Sequence, residues 1–230
     1  MTTTHQRKRT LPDRPKPVSG LSNRVMIAGV AGLLALLVWI FWPSPYSRVK
    51  NLDSRGANII AFGDSLTSGY GALAGEDYPS RLSALIQTPV INAGVAGDTT
   101  DAALARVERD VLERDPRIVI IGLGGNDFLR STPMASTEQN LRSIIRQIQG
   151  GGAMVVLLGY RFPSFGASYE KMYERVAHDE GCLLIPDMLD GILSDPNLKS
   201  DEIHPNARGY QLLADRVEGP LRKLMRKAKR

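Results

Sequence analysis

Ser65 follows Gly63-Asp64, directly after the apolar run Ile59, Ile60, Ala61 and Phe62. That is the pattern of a buried parallel strand delivering a hydroxyl at its carboxyl end. A serine hydroxyl acts as a nucleophile when a base takes its proton and donors hold the developing oxyanion. Three histidines could supply the base. His5 lies in a polar amino-terminal stretch, and His178 stands beside Asp179 and Glu180 on a helical pattern, as a solvated residue would. His204 sits in Ser-Asp-Glu-Ile-His-Pro-Asn, where Pro205 favours an extended backbone at His204 and Asn206 can cap a following helix. Asp201, three residues earlier, can reach one ring nitrogen while the other faces Ser65. Taken singly, each stretch has a plainer explanation: Gly-Asp-Ser is a common turn, and a histidine in a polar loop is commonly just solvated.

The elements that must bring these residues together alternate along the chain. Hydrophobic spacing predicts a helix over Tyr78 to Ile86, a strand over Val90 to Asn92, and one amphipathic helix over Thr99 to Asp115. Asp98 or Thr99 would cap that helix and Pro116 would end it. Ile118 to Leu123 is a continuous apolar run, expected of a strand covered on both faces. Ser136 and Gln139 suggest a capping box for a helix carrying Leu141, Ile144, Ile145 and Ile148, stopped by Gly150-Gly151-Gly152. Met154 to Leu158 is another strand, Ser168 to Asp179 a helix, Cys182 to Ile185 a last strand, and Asn206 to Lys227 the closing helix.

About five strands alternating with helices, without an internal repeat, predict a doubly wound parallel α/β sandwich. Sites in such sheets lie at the carboxyl ends of the strands. Here those ends are Gly63-Asp64-Ser65, Gly94 to Gly97, and Gly124-Gly125-Asn126-Asp127, three glycine-rich loops able to show N–H groups at one edge.

The 230 residues suffice for one domain of ordinary size and an extension. The net charge of +5 is unevenly placed. Six basic residues and one acid precede Pro43, and six more basic residues with no acid fill the last nine positions, leaving 17 basic against 23 acidic residues in the body. The basic pI therefore belongs to the two ends of the chain, and the acidic body gives no reason to expect a nucleic-acid-binding domain. The single cysteine, Cys182, excludes an intrachain disulfide and reads as a core residue.

Residues 1–24 read as a disordered, basic, cytoplasmic tail. Val25 to Trp42 is an 18-residue run without a charge, and at 1.5 Å per residue it is close to the ~30 Å hydrocarbon thickness. It reads as a transmembrane helix, with Trp39, Phe41 and Trp42 at the outer interface and Arg24 on the cytoplasmic side. A cleaved secretory signal is the rival, but Trp-Pro-Ser-Pro-Tyr follows the run where a small-residue cleavage site would stand. Residues 43–56 then form a linker to a catalytic domain over 57–230. The expectation is a single-pass protein of a bacterial inner membrane, its domain periplasmic or extracellular, and about 20 residues between Trp42 and Ser65 would hold the site near the outer membrane face.

Gly63-Asp64-Ser65-Leu66, Gly97 in Gly-Asp-Thr, Gly125-Asn126-Asp127 and Asp201-x-x-His204-Pro205 stand in the order of the four blocks of the GDSL or SGNH hydrolases, and the chain resembles that family over about residues 57 to 220. Within it, the chain looks most like the bacterial thioesterase I, lysophospholipase L1 and arylesterase group, sharing Asn92-Ala93, Leu129-Arg130, and Arg161-x-Pro163 followed by Tyr169. The resemblance implies a flavodoxin-like sandwich and a serine ester hydrolase. Ser65 would be the nucleophile, His204 the general base and then acid, and Asp201 the residue orienting it. The Ser65 and Gly97 N–H groups and the Asn126 amide would form the oxyanion hole. It implies no cofactor and no metal. Substrates would be small acyl esters, thioesters or lysophospholipids. A carbohydrate or peptidoglycan O-acetylesterase and a non-catalytic binding protein on the same fold are the alternatives; no nucleic-acid partner is expected and the oligomeric state is open.

Overall fold

The computed structural model describes residues 27–33, 44–161 and 167–228. The chain divides into two units, Met1–Pro43 and Ser44–Arg230. In the first, residues 27–33 are helical, with Ile27, Val30 and Leu33 exposed. The tail expected over 1–24 and most of the spanning segment expected over 25–42 lie outside the described residues. Among the described residues no helix is long and apolar enough to cross a membrane.

The second unit is built on a five-stranded parallel sheet. Its strands are β1 (Asn58–Gly63), β2 (Val90–Gly94), β3 (Pro116–Gly122), β4 (Met154–Leu158) and β5 (Leu183–Ile185). They are ordered β2-β1-β3-β4-β5, the doubly wound arrangement expected from the sequence. Ile118 to Ile121 and Met154 to Leu158 have no exposed surface, so successive side chains on both faces of β3 and β4 are covered. The cover comes from helices: α1 (Ser65–Ser68), α2 (Tyr78–Ile86), α3 (Thr100–Leu104), α4 (Val107–Asp110), α5 (Gly125–Leu129), α6 (Met134–Gly150), α7 (Ser168–Glu180) and α8 (Ala207–Lys227). α2 packs with α8, and α6 packs with α3 and α7.

Strand register places the chemistry. Gly63 pairs in register with Gly94 on one side and Gly122 on the other, so three neighbouring strands release their loops at one level. Glycine is required there for space. A Cβ on Gly63 would stand 2.1 Å from Thr67 Oγ1 and 2.5 Å from the Gly122 carbonyl, and one on Gly94 would stand 2.2 Å from the Ser68 nitrogen. α1 can therefore sit directly over the ends of β1 and β2.

Several elements depart from the sequence expectation. The helix expected over Thr99 to Asp115 is broken into α3, α4 and a 3-10 turn, Leu112–Arg114. Arg106 leaves helical geometry (φ −117, ψ 3), and its side chain turns into the protein. Thr99 is the cap, accepting from the Ala102 N–H, while Asp98 is engaged by Arg106. Pro116 starts β3 as well as following that helical region. The Ser136–Gln139 capping box does not form, because α6 begins at Met134 after Pro133 and places Ser136 inside its first turn.

Residues 44–56 are docked on the domain. Tyr46 and Val49 are buried, the Lys50 N–H donates to the Gly181 carbonyl, and Asn51 donates to the Gln149 and Ala153 carbonyls. The Lys223 ammonium lies 4.8 Å over the Tyr46 ring, near the carboxyl end of α8. These partners belong to the amino-terminal edge of the sheet. The amino end of α8 lies at the opposite edge beside His204, and 21 residues of helix span ~31 Å at 1.5 Å each. Within the domain, nearness in sequence therefore does not put Ser65 beside residues 44–51.

Candidate active site

The Asp64 carboxylate caps α1 by accepting from the Leu66 N–H, and Gly69 closes that turn in the left-handed region (φ 86). This presents Ser65 as the first residue of a short helical turn. Its Oγ lies 3.0 Å from His204 Nε2. Asp201 Oδ2 lies 2.8 Å from His204 Nδ1, and Asp201 Oδ1 accepts from the Ile203 and His204 backbone N–H groups. Asp201, rather than its neighbour Glu202, thus meets the ring. Partial burial works to raise the Asp201 pKa, but donation from the Ile203 N–H and from His204 outweighs it and holds the carboxyl below its ordinary value. The loop itself is pinned by Asn206, which accepts from the Arg208 and Gly209 N–H groups and donates to the Asn197 and Lys199 carbonyls.

Of the expected oxyanion donors, Ser65 and Asn126 line one pocket with His204, and Gly97 precedes Asp98, whose carbonyl accepts the Asn126 amide. The Ser65 and Gly97 N–H groups have no acceptor among the described residues. Gly97 is left-handed (φ 84), and its carbonyl accepts from Arg130. The Asn126 amide donates to the Asp98 carbonyl at 2.9 Å and stands 3.5 Å from Asp64 Oδ2. Beside Ser65 and His204 opens a pocket of about 130 Å³, whose walls include Phe128, Leu129, Leu189, Leu193 and Ile203. Of the motif residues beyond the four blocks, Tyr169 packs edge-on against Phe128 with centroids 5.5 Å apart, while Pro163 lies outside the described residues. His178 is exposed on α7, paired with Asp179 and apart from this cluster. Cys182 is buried, and burial pushes its thiol up to about 12. Among the described residues no His, Cys, Asp or Glu side chains are grouped to hold a metal ion.

Four features had no role in the sequence reading. Asp64 is almost wholly buried, and desolvation, helped by the charges of Asp98 and Asp127 against the Leu66 bond, pushes its pKa up to about 7. Tyr70 packs against His204 with ring centroids 4.5 Å apart and planes tilted by 47°, and Tyr210 donates to the Tyr70 carbonyl. Asp127, fully buried, accepts from the Thr100 N–H and hydroxyl and so ties the third loop to α3. Arg106 joins the first two loops from below.

A hydroxyl, an imidazole and a carboxylate in hydrogen-bonded series, beside open N–H donors at the carboxyl edge of a parallel sheet, define a serine hydrolase arrangement. The chain belongs to the GDSL-like lipase/acylhydrolase family, whose model matches residues 61–212, and by class it is a serine ester hydrolase. It is 30% identical over 195 residues to thioesterase 1/protease 1/lysophospholipase L1 of Escherichia coli K12, covering 80% of this chain and 94% of that protein. It is 32% identical over 170 residues to the arylesterase of Vibrio mimicus, covering 69% and 85%. The crystal structure of TesA superposes with a TM-score of 0.69 at 31% identity, covering 73% of this chain and 99% of that one.

Proposed function

We propose that this chain cleaves acyl esters or thioesters through an acyl-enzyme on Ser65. His204 Nε2 takes the Ser65 proton as Oγ attacks the carbonyl carbon, and later returns it to the leaving oxygen or sulfur. Asp201 keeps the proton on Nδ1 and offsets the charge of the imidazolium. The Ser65 and Gly97 N–H groups and the Asn126 amide receive the oxyanion. Water then repeats the sequence on the acyl-enzyme and releases the acid. The observation that carries this reading is the position of His204, 3.0 Å from Ser65 Oγ on one side and 2.8 Å from Asp201 on the other.

The apolar walls of the pocket favour an acyl tail over an acetyl group, and so an arylesterase, thioesterase or lysophospholipase type of substrate over a sugar O-acetyl ester. Residues 25–42 serve as an uncleaved membrane anchor in this proposal, with the domain outside the cytoplasm; the uncharged 18-residue run and the basic residues before it support this. Hydrolysis of p-nitrophenyl esters of increasing chain length tests the substrate class. Rates should rise from acetate to longer acyl chains, and Ser65→Ala should lower kcat by ~10⁴-fold or more. Full activity in Ser65→Ala would refute the mechanism, and a preference confined to acetate would refute the acyl class.

A further inference from the structure

Arg106 is only 8% exposed, an unusual place for an arginine on a surface helical stretch. Its Nε donates to Asp98 Oδ2 at 2.6 Å, and its Nη1 donates to Asp110 Oδ2 and to the Ala93 carbonyl, both at 3.0 Å. Its Nη2 donates to the Gly63 carbonyl at 2.9 Å, and the guanidinium lies 4.3 Å over the Phe62 ring. A purely structural ion pair would need only the carboxylates. Two of the donors here go instead to carbonyls at the ends of β1 and β2, where the nucleophile loop and the Gly97 loop begin. Asp98, moreover, follows Gly97 directly, and its own carbonyl accepts the Asn126 amide at 2.9 Å.

One buried side chain therefore touches the backbone of the loops that carry Ser65 and Gly97, and through Asp98 it fixes the acceptor that aims Asn126. We propose that Arg106 is a positioning residue for the oxyanion hole, holding the Gly97 N–H and the Asn126 amide at one distance from Ser65. It does not touch substrate. Its effect passes through Asp98 and the Gly63 and Ala93 carbonyls, and it rests on the reading above that Gly97 and Asn126 receive the oxyanion.

The test is a kinetic double-mutant cycle on the full chain, with Arg106→Lys, Asn126→Ala and their combination. Lysine keeps the charge but loses the planar fork that serves four acceptors at once. Arg106→Lys should lower kcat by ~10-fold with KM within about twofold, because misplacing oxyanion donors acts in the transition state. In the Asn126→Ala background the same change should cost less than about threefold, since part of what Arg106 positions is already gone. Equal costs in both backgrounds, or a folded Arg106→Lys with unchanged kcat, would overturn the proposal. If Arg106→Lys does not yield folded protein, Asp98→Asn replaces it in the cycle, with the same non-additivity expected and additivity counting against it. Asn126→Ala with unchanged kcat would remove the oxyanion reading itself, and this proposal with it.

Discussion

Arg106 and Arg142 each gather carboxylates from neighbouring segments, but they are built into the domain differently. Arg106, Asp98 and Asp110 have side chains 9–11% exposed, and two further bonds go to strand-end carbonyls. Arg142 pairs with Glu138, Asp179 and Glu180, joining α6 to α7, and the partners Arg146 and Arg175 have side chains 65% and 50% exposed. Both networks have a buried centre and an exposed rim, Glu180 and Arg146 in the second and Asp110 and Arg109 in the first, so the difference lies in the strand-end carbonyls that only Arg106 holds. The contrast shows how one chemistry serves two ends. A buried arginine bonded to strand-end carbonyls imposes a backbone geometry, whereas one bonded only to carboxylates of two helices adds cohesion between those helices.

The largest predicted effect breaks the inner network. Arg106→Met leaves Asp98 buried without its cation, while Asp110 keeps Arg109, and should cost about 3–5 kcal/mol in urea unfolding. A loss below about 1 kcal/mol would mean that the two networks do not differ in the way described. Glu180→Gln in the outer network removes a buried charge but keeps an oxygen for Arg142 and Arg146, and should cost less, about 1.5–3 kcal/mol, with kcat unchanged. A drop in kcat there would join α6 and α7 to the site in a way the contacts do not suggest.

Titration sharpens the same contrast with opposite signs. Arg146, with Arg142 and against partial burial, holds the Glu180 carboxyl below its ordinary 4.5. A depressed folded pKa stabilises the fold above the unfolded value, and this is lost as pH falls through the folded one. The stability gap between wild type and Glu180→Gln should therefore shrink below about pH 4.5. Asp64 behaves oppositely: burial raises it from 3.8 to about 7, so the folded chain keeps a proton that the unfolded chain has released. Its contribution is full below 3.8 and is lost as pH rises through about 7. Asp64→Asn keeps an oxygen to cap Leu66, and in thermal unfolding it should gain on wild type between pH 5 and pH 8. No relative gain would mean that Asp64 is ionised in the fold at little cost.

Much of the scaffold was legible in the sequence because buried parallel strands are short apolar runs bounded by turns. Ile118 to Leu123 and Met154 to Leu158 announce themselves this way, and the glycine endings of β1, β2 and β3 mark the edge where the loops leave. Ser65, Asp201 and His204 were legible because their motifs hold each residue in a defined local geometry: a strand-to-turn exit, and an Asp-x-x-His loop closed by a proline and a cap. What was not legible depends on partners far away in the chain. The helix break at Arg106 follows from its bond to Gly63, 43 residues earlier, which no helical periodicity records. Ser136 and Gln139 fit a capping box in spacing, yet Pro133 starts the helix sooner. Tyr70 and Tyr210, which pack and hold the His204 side of the site, belong to no motif and are found only through ring and carbonyl contacts.

The central claim is that Ser65 is the nucleophile activated by His204. A fluorophosphonate, which bonds preferentially to an activated serine oxygen, followed by peptide mass mapping of the full chain, measures this directly. The account predicts one adduct, on Ser65, that is absent from Ser65→Ala and strongly slowed in His204→Ala. Labelling at another residue, or labelling of Ser65→Ala at the wild-type rate, would contradict it.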